Sequence, residues 1–169
     1  MIKGLPVVLG LGSNLGDSSQ IILDASEALK EILTGLRRSS LYETEPMHVT
    51  DQNRFINAAV MGLYSGPPGE LLSGINEIEM RFGRNRKKER PWGERFLDID
   101  ILLFGDLTLH EQDLVIPHPR LKERRFALQP LLELFPEALE PGTGLSYREI
   151  CDALPEQGVT ILKIRKSTI

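Results

Sequence analysis

The hydrophobic pattern alternates between strand-like runs and helical spacing along the first two-thirds of the chain. Leu5 to Leu11 is apolar and β-branched enough to form a buried strand, and Gly12-Ser13-Asn14 reads as the turn that ends it. Asp17 is a good N-cap for a helix in which Ile21, Ile22, Ala25, Ala28, Leu29, Ile32 and Leu33 recur at helical spacing, with Gly35 where a C-cap is expected. Leu36 to Thr44 predicts a second strand, Glu45 to Arg54 a polar loop, and Phe55 to Tyr64 a third strand. Pro67 and Pro68 open a helix running to about Phe82, with Leu71, Leu72, Ile75, Ile78 and Glu79 on its inner side and Gly83 stopping it. A basic loop follows, then a strand that carries Asp98 and Asp100. The order β-α-β-β-α-β predicts an α+β, ferredoxin-like sandwich with an antiparallel sheet. Its two helices would share one face, so the other face needs a separate cover. Beyond Gly105 the pattern predicts a hairpin over Leu107 to Ile116 and the turn Pro117-His118-Pro119. Two short helices near Phe126–Leu134 and Ser146–Ala153 and a strand-like Val159 to Ile164 complete the chain.

Composition narrows the picture. At 169 residues the chain is expected to be a single domain over 1–169, with core enough to fold without staples. A net charge of −4 argues against a nucleic-acid or membrane-surface protein. The lone Cys151 excludes an intramolecular disulfide and a cysteine-based zinc cage. No secretory signal pattern opens the chain and no apolar run is long enough to span a bilayer, so a cytoplasmic protein is expected.

Against that acidic background the stretch Arg84 to Gly105 stands out. Between Arg81 and Arg95 lie seven basic residues (Arg81, Arg84, Arg86, Lys87, Lys88, Arg90 and Arg95) and two acidic ones, Glu89 and Glu94. The following strand places Asp98 and Asp100 on one face, with carboxylates roughly 7 Å apart. Phe96, Leu102 and Phe104 are expected beside them, and Leu97, Ile99, Ile101 and Leu103 on the opposite face. Like charges in apolar surroundings need a counter-ion, supplied by the arginines or by a metal, for which magnesium with phosphate oxygens is the natural choice. A half-exposed strand with a polar outer face is the plainer alternative. The basic loop can be a solvated charge run, yet Trp92 and the bracketing Gly83 and Gly93 suit a loop that covers a flat ligand and its phosphates. Gly10 to Gly16 reads as a tight turn or a weak phosphate-binding turn, without the features of a P-loop or a dinucleotide fingerprint. His118 sits rigidly between two prolines, and Asn57 alternates with apolar neighbours. His48 and His110 have no ligand spacing with His118, so no zinc site is expected.

Together these residues resemble the 6-hydroxymethyl-7,8-dihydropterin pyrophosphokinase family. The resemblance rests on GLGSNLGD, YETEP (Tyr42 to Pro46), FINAAV (Phe55 to Val60), the basic loop leading into DIDILLFG, and IPHPRLKERRFALQPL (Ile116 to Leu131). It implies transfer of the pyrophosphoryl group of ATP to the hydroxymethyl group of the pterin, giving AMP in folate biosynthesis. It also implies two Mg2+ ions held by Asp98 and Asp100, with Arg84 and Arg95 joining these aspartates as catalytic residues. ATP contacts would come from Arg84, Arg86, Arg95, Ile101, His118 and Arg124. Pterin contacts would come from Thr44, Glu45, Pro46, Met47, Phe55, Asn57, Trp92, Asp98 and Phe126, with Asn14 and Glu79 near the site. The expected partners are ATP and the hydroxymethyl pterin, with no nucleic acid and no membrane, in a monofunctional monomer or weak homodimer. Where the family's loop usually runs RWGPR, this chain has RPWGER, with Pro91 inserted and Glu94 replacing proline, and Phe55 stands where tyrosine is common. The competing reading is a non-catalytic ferredoxin-like module that binds RNA or a small ligand. Cations confined to one loop beside two carboxylates favour the enzyme.

Overall fold

The computed structural model describes residues 3–46, 48, 50–85 and 87–163, so Met47, Arg86 and the last residue of the expected final strand, Ile164, lie outside the described residues. In chain order the elements are strand β1 (Leu5–Ser13), helix α1 (Ser18–Ala28), strands β2 (Thr34–Arg38), β3 (Tyr42–Thr44) and β4 (Phe55–Tyr64), helix α2 (Pro68–Arg81) and strand β5 (Asp98–Phe104). Then follow the short strands β6 (Leu109–His110) and β7 (Val115–Ile116), helices α3 (Arg125–Leu134) and α4 (Tyr147–Ala153), and strand β8 (Thr160–Ile161). The main sheet runs β5-β1-β4-β3-β8, with β2 also paired to β4, and its pairings are antiparallel. This is the α+β, ferredoxin-like arrangement.

Because side chains alternate along β1, the strand divides two cores. Val7, Leu9 and Leu11 pack with Ile22 and Ala25 of α1 and with Leu71, Ile75 and Ile78 of α2. Val8 points the other way, into a second core with Ala59, Leu102, Leu128, Leu131 and Tyr147. Helices α3 and α4 therefore supply the cover that the second face needs. The N-caps follow the sequence: the Asp17 carboxylate accepts from the Gln20 N–H at 3.2 Å, and the Ser146 hydroxyl accepts from the Glu149 N–H at 3.3 Å. Gly83 stops the turn after α2 in the left-handed region, with φ of 85°.

Four local expectations change. The first strand runs through Ser13, because Gly12 and Ser13 keep pairing with Asn57 and Ile56. Gly35 is a left-handed residue inside β2, where the register with β4 shifts, and a 3₁₀ turn over Leu29–Glu31 ends the first helix instead. The strand expected over Leu36 to Thr44 divides into β2 and β3. At the break the Ser39 hydroxyl accepts the Ala59 N–H at 2.9 Å, and Glu133 of α3 accepts the Ser40 N–H and hydroxyl at 2.8 and 2.9 Å. Finally, β5 carries a bulge: Val8 pairs with Leu103 but Leu9 pairs with Ile101. The extra residue resets the alternation. Leu102 and Leu103 both reach the α3 side, and Phe104 turns into the α1/α2 core, correcting the faces expected for Leu103 and Phe104. Among the described residues, no helix is long and apolar enough to cross a membrane.

Candidate active site

The floor of the main cleft is written in the sheet register. Gly12 of β1 pairs with Asn57 of β4 on one side and Asp98 of β5 on the other; one pleat along, Gly10 lies between Ala59 and Asp100. All face α3, and the two glycines leave the middle strand bare. A Cβ on Gly12 would come within 3.0 Å of Asn57 Oδ1, and one on Gly10 within 3.2 Å of Leu102 Cδ1. Gly10 and Gly12 thus belong to a strand and open space between an amide and two carboxylates, while the turn expected in this stretch follows Ser13, with Gly16 in the left-handed region at φ of 75°.

On the amide side, Asn57 Nδ2 donates to Thr44 Oγ1 at 2.8 Å, and both residues are buried. That bond uses one amide hydrogen and leaves Oδ1 with the remaining N–H for a ligand. Phe55, Phe126, Leu121 and Ala127 add apolar and aromatic walls.

The opposite side is ionic. Arg95 Nη1 meets Asp98 Oδ2 at 3.2 Å, and Arg84 Nη1 bonds Asp98 Oδ1. Arg84 also donates to Glu79 Oε2 at 2.8 Å and to Glu89 Oε2 at 3.3 Å. Glu79 is only 1 % exposed, and its other oxygen accepts the Ile99 N–H at 2.9 Å. A buried carboxylate needs such partners, since removing one partner of a buried pair costs about 3–5 kcal/mol. Glu79 therefore clamps the end of α2 to β5 and holds Arg84 against Asp98.

Burial, followed by the neighbouring Asp98 charge, pushes the Asp100 carboxyl up to about 7. Its Oδ2 lies 3.7 Å from His118 Nε2. His118 is placed by two backbone bonds: its N–H donates to the Leu102 carbonyl at the bulge (3.1 Å), and its Nδ1 accepts the Arg120 N–H (3.1 Å). With Nδ1 an acceptor, the neutral ring carries its proton on Nε2, toward Asp100. Burial, reinforced by Arg124, lowers the His118 pKa to about 4 and keeps the ring neutral.

Trp92 lies at the rim, 43 % exposed, in a left-handed conformation with φ of 60°. Its ring is 4.5 Å from the His48 ring; the Arg120 and Arg124 guanidinium carbons lie 4.6 and 5.7 Å from its centroid. Arg124 is also 5.5 Å from the Phe126 ring.

Of the residues expected in the site, Thr44, Glu45, Phe55, Asn57, Trp92, Arg95, Asp98, Asp100, His118, Arg124 and Phe126 line this one cleft. Arg84, Glu79 and Asn14 stand behind it, through Asp98 and Arg95. The Ile101 side chain lies in the α1/α2 core, away from the cleft, and Pro46 is not part of the lining. Met47 and Arg86 fall outside the described residues. Sequence reasoning missed Gln52, His48 and Arg120. Only the Arg in the PHPR turn carried a signal, a cation beside a rigid histidine.

The donor set suits a hard cation. Two carboxylates face one cleft and one of them holds a proton to about neutral pH, so positive charge is wanted there. No group of three or more His, Cys, Asp or Glu residues that could hold a metal occurs among the described residues. Magnesium needs no such cage, since it takes one or two carboxylates together with phosphate oxygens and water.

A sequence model of the 7,8-dihydro-6-hydroxymethylpterin-pyrophosphokinase (HPPK) family matches residues 8–136. The chain is 41 % identical over 135 residues to the 2-amino-4-hydroxy-6-hydroxymethyldihydropteridine pyrophosphokinase of Aquifex aeolicus, covering 80 % of this chain and 83 % of that protein. It is 44 % identical over 145 residues to the mitochondrial folate synthesis bifunctional protein of Arabidopsis thaliana, covering 85 % of this chain. It spans 26 % of the length of that bifunctional relative. The fold is shared with a crystal structure of Plasmodium falciparum HPPK-DHPS with pteroate, at a TM-score of 0.71 and 18 % identity, over 89 % of this chain and 42 % of that one. The chain belongs to the 7,8-dihydro-6-hydroxymethylpterin-pyrophosphokinase family.

Proposed function

We propose that this chain transfers the pyrophosphoryl group of Mg-ATP to the hydroxymethyl group of 6-hydroxymethyl-7,8-dihydropterin, giving the pterin diphosphate and AMP for folate biosynthesis. The observation that carries this reading is the row Asn57–Gly12–Asp98. It sets a hydrogen-bonding amide and a metal-ready carboxylate on one face, separated by a bare strand.

In this reading the pterin lies between Phe55 and Phe126 and is read by the Asn57 carboxamide, with Thr44 and Glu45 beside it. Its hydroxymethyl group points toward the aspartates. Asp98 and Asp100 hold two Mg2+ ions, which when bound neutralise and orient the triphosphate. Arg84, Arg95 and Arg124 bind phosphate oxygens, and the His118 Nε2–H donates to the nucleotide. Arg86 belongs to the same basic loop, and Ile101 would contact ATP through its backbone alone. Trp92 covers the ligand from the rim. Most of the catalysis is then positioning and charge stabilisation, as suits phosphoryl transfer. Arg95, which lines the cleft, exchanges Asp98 for phosphate as substrate arrives. A cytoplasmic monomer or weak homodimer, with 1–169 as one domain, completes the proposal.

The test follows ATP conversion with and without the hydroxymethyl pterin. Pterin-dependent AMP, lost on chelation of divalent cations and restored by magnesium, supports the reading. ADP as the product, or turnover indifferent to chelation, overturns it.

A further inference from the structure

Gln52 has no part in the roles above, yet its carboxamide joins the two sides of the cleft. Oε1 accepts from Asn14 Nδ2 at 2.9 Å, and Nε2 donates to the Trp92 carbonyl at 2.8 Å. Asn14 is buried, at 2 % exposure. Its Nδ2 also donates to the Asn53 carbonyl at 3.1 Å, while its Oδ1 accepts the Arg95 N–H at 2.9 Å. The Asn14 N–H donates to the Arg95 carbonyl at 3.1 Å. A line of amide hydrogen bonds therefore runs Arg95–Asn14–Gln52–Trp92. One end is the arginine that grips Asp98, and the other is the backbone of the indole at the rim. Between them lies the segment 52–54, which leads directly into Phe55 and Asn57.

The geometry points to Gln52 as a positioning residue that couples the two ligands of the cleft. This rests on the function proposed above, in which Phe55 and Asn57 take the pterin and Arg95 takes phosphate. Trp92 and Arg95 are three residues apart, and Asn14 and Gln52 hold both from the pterin side. Seating the pterin against Phe55 and Asn57 steadies residues 52–54, and with them the positions of Trp92 and Arg95. Coupling of this kind is reciprocal, so each ligand tightens the other by the same factor.

The two halves of the Gln52 carboxamide can be separated. Gln52→Glu keeps an acceptor for Asn14 Nδ2 and loses the donor to the Trp92 carbonyl; Gln52→Ala loses both. Trp92 is the only tryptophan in the chain, so its fluorescence reports the tether without any turnover. The measurements are the Trp92 emission of the free protein, pterin affinity by calorimetry with and without a non-hydrolysable ATP analogue plus magnesium, and AMP formation. For Gln52→Glu we expect altered Trp92 emission and a thermal midpoint close to wild type. Affinity for the pterin alone should stay within about twofold. The tightening caused by the analogue should shrink by roughly tenfold, the scale of one lost hydrogen bond, with kcat reduced. Gln52→Ala should lose as much coupling and some stability as well. Unchanged emission with undiminished tightening in Gln52→Glu overturns the inference, as does a wild-type protein with no mutual tightening. Absence of AMP from the wild type would instead overturn the reaction, and the fluorescence and binding measurements would still decide the coupling.

Discussion

The two sides of the cleft are held in place by different forces. On the amide side, Thr44, Asn57 and the aromatic walls sit on paired strands and a packed helix, and one neutral hydrogen bond between Asn57 and Thr44 fixes the carboxamide while leaving its Oδ1 and second N–H for a ligand. On the ionic side, Arg84, Arg95, Asp98, Glu79 and Glu89 satisfy one another. Neutral amides fixed by a sheet make a template of constant shape. Paired charges make a site whose members can change partners, provided that the incoming ligand replaces what is lost. A surface that recognises a heterocycle needs the first property, and one that takes up a metal-bound polyphosphate needs the second.

That contrast can be broken experimentally. The largest effect is expected on the ionic side: Asp98→Ala and Asp100→Ala should each reduce AMP formation by at least about a hundredfold with the fold retained by circular dichroism. Near-normal turnover in both would remove the metal role. Arg84→Ala should combine slower turnover with lower stability, because Glu79 loses its charged partner in a buried position. The loss should be about 3 kcal/mol in urea unfolding, and a double variant Arg84→Ala/Glu79→Gln should recover part of it. Asn57→Ala should raise the KM for the pterin by roughly 10–30-fold while leaving that for ATP close to wild type. Equal changes in both constants would mean that the two sides are not separable as described.

A smaller effect concerns pH. The Asp100 carboxyl is raised in the fold to about 7, from 3.8. Its contribution to stability is therefore full below the unfolded value and is lost as the pH rises through about 7. Asp100→Asn should gain thermal stability relative to wild type between pH 5 and 8, measured without ligand or metal, even as it loses activity. His118 has the opposite sign: lowered to about 4 from 6.5, it contributes stability above 6.5 that is lost as the pH falls toward 4. The smallest expected effect lies away from the cleft, at Glu133. Burial works to raise its pKa, and hydrogen bonds from Tyr42 and Ser40 outweigh that and lower it. Glu133→Gln should cost about 1 kcal/mol at neutral pH, and the difference should fade as the pH falls below 4.5.

Much of the fold was legible in the sequence because its signals are local. Apolar spacing marked both sheet-packing helices, Asp17 capped the first of them, and Gly83 stopped the second. The bulge at Leu102 was not legible, since an extra residue in one strand is defined only against its partner strand. The same bulge reversed the faces expected for Leu103 and Phe104 and freed the Leu102 carbonyl that receives His118. Gly10 and Gly12 invited a turn reading because glycine signals freedom, whereas here their use is the absence of a side chain between Asn57 and the aspartates.

What the sequence by itself determined was the order of elements and the chemistry available to them: an Asp-x-Asp strand after a run of cations, and an asparagine on an apolar strand. Those follow from periodicity and residue type, which neighbours along the chain suffice to establish. Only the tertiary structure decided that Asn57, Gly12 and Asp98 fall in one row, that Glu79 steadies Arg84, and that Gln52 reaches both Asn14 and Trp92. The row and the Gln52 link depend on strand register and on hydrogen bonds between segments tens of residues apart. Glu79 and Arg84 are only five residues apart, but their pairing depends on the burial of Glu79 against the distant Ile99 N–H, and no local pattern encodes that packing.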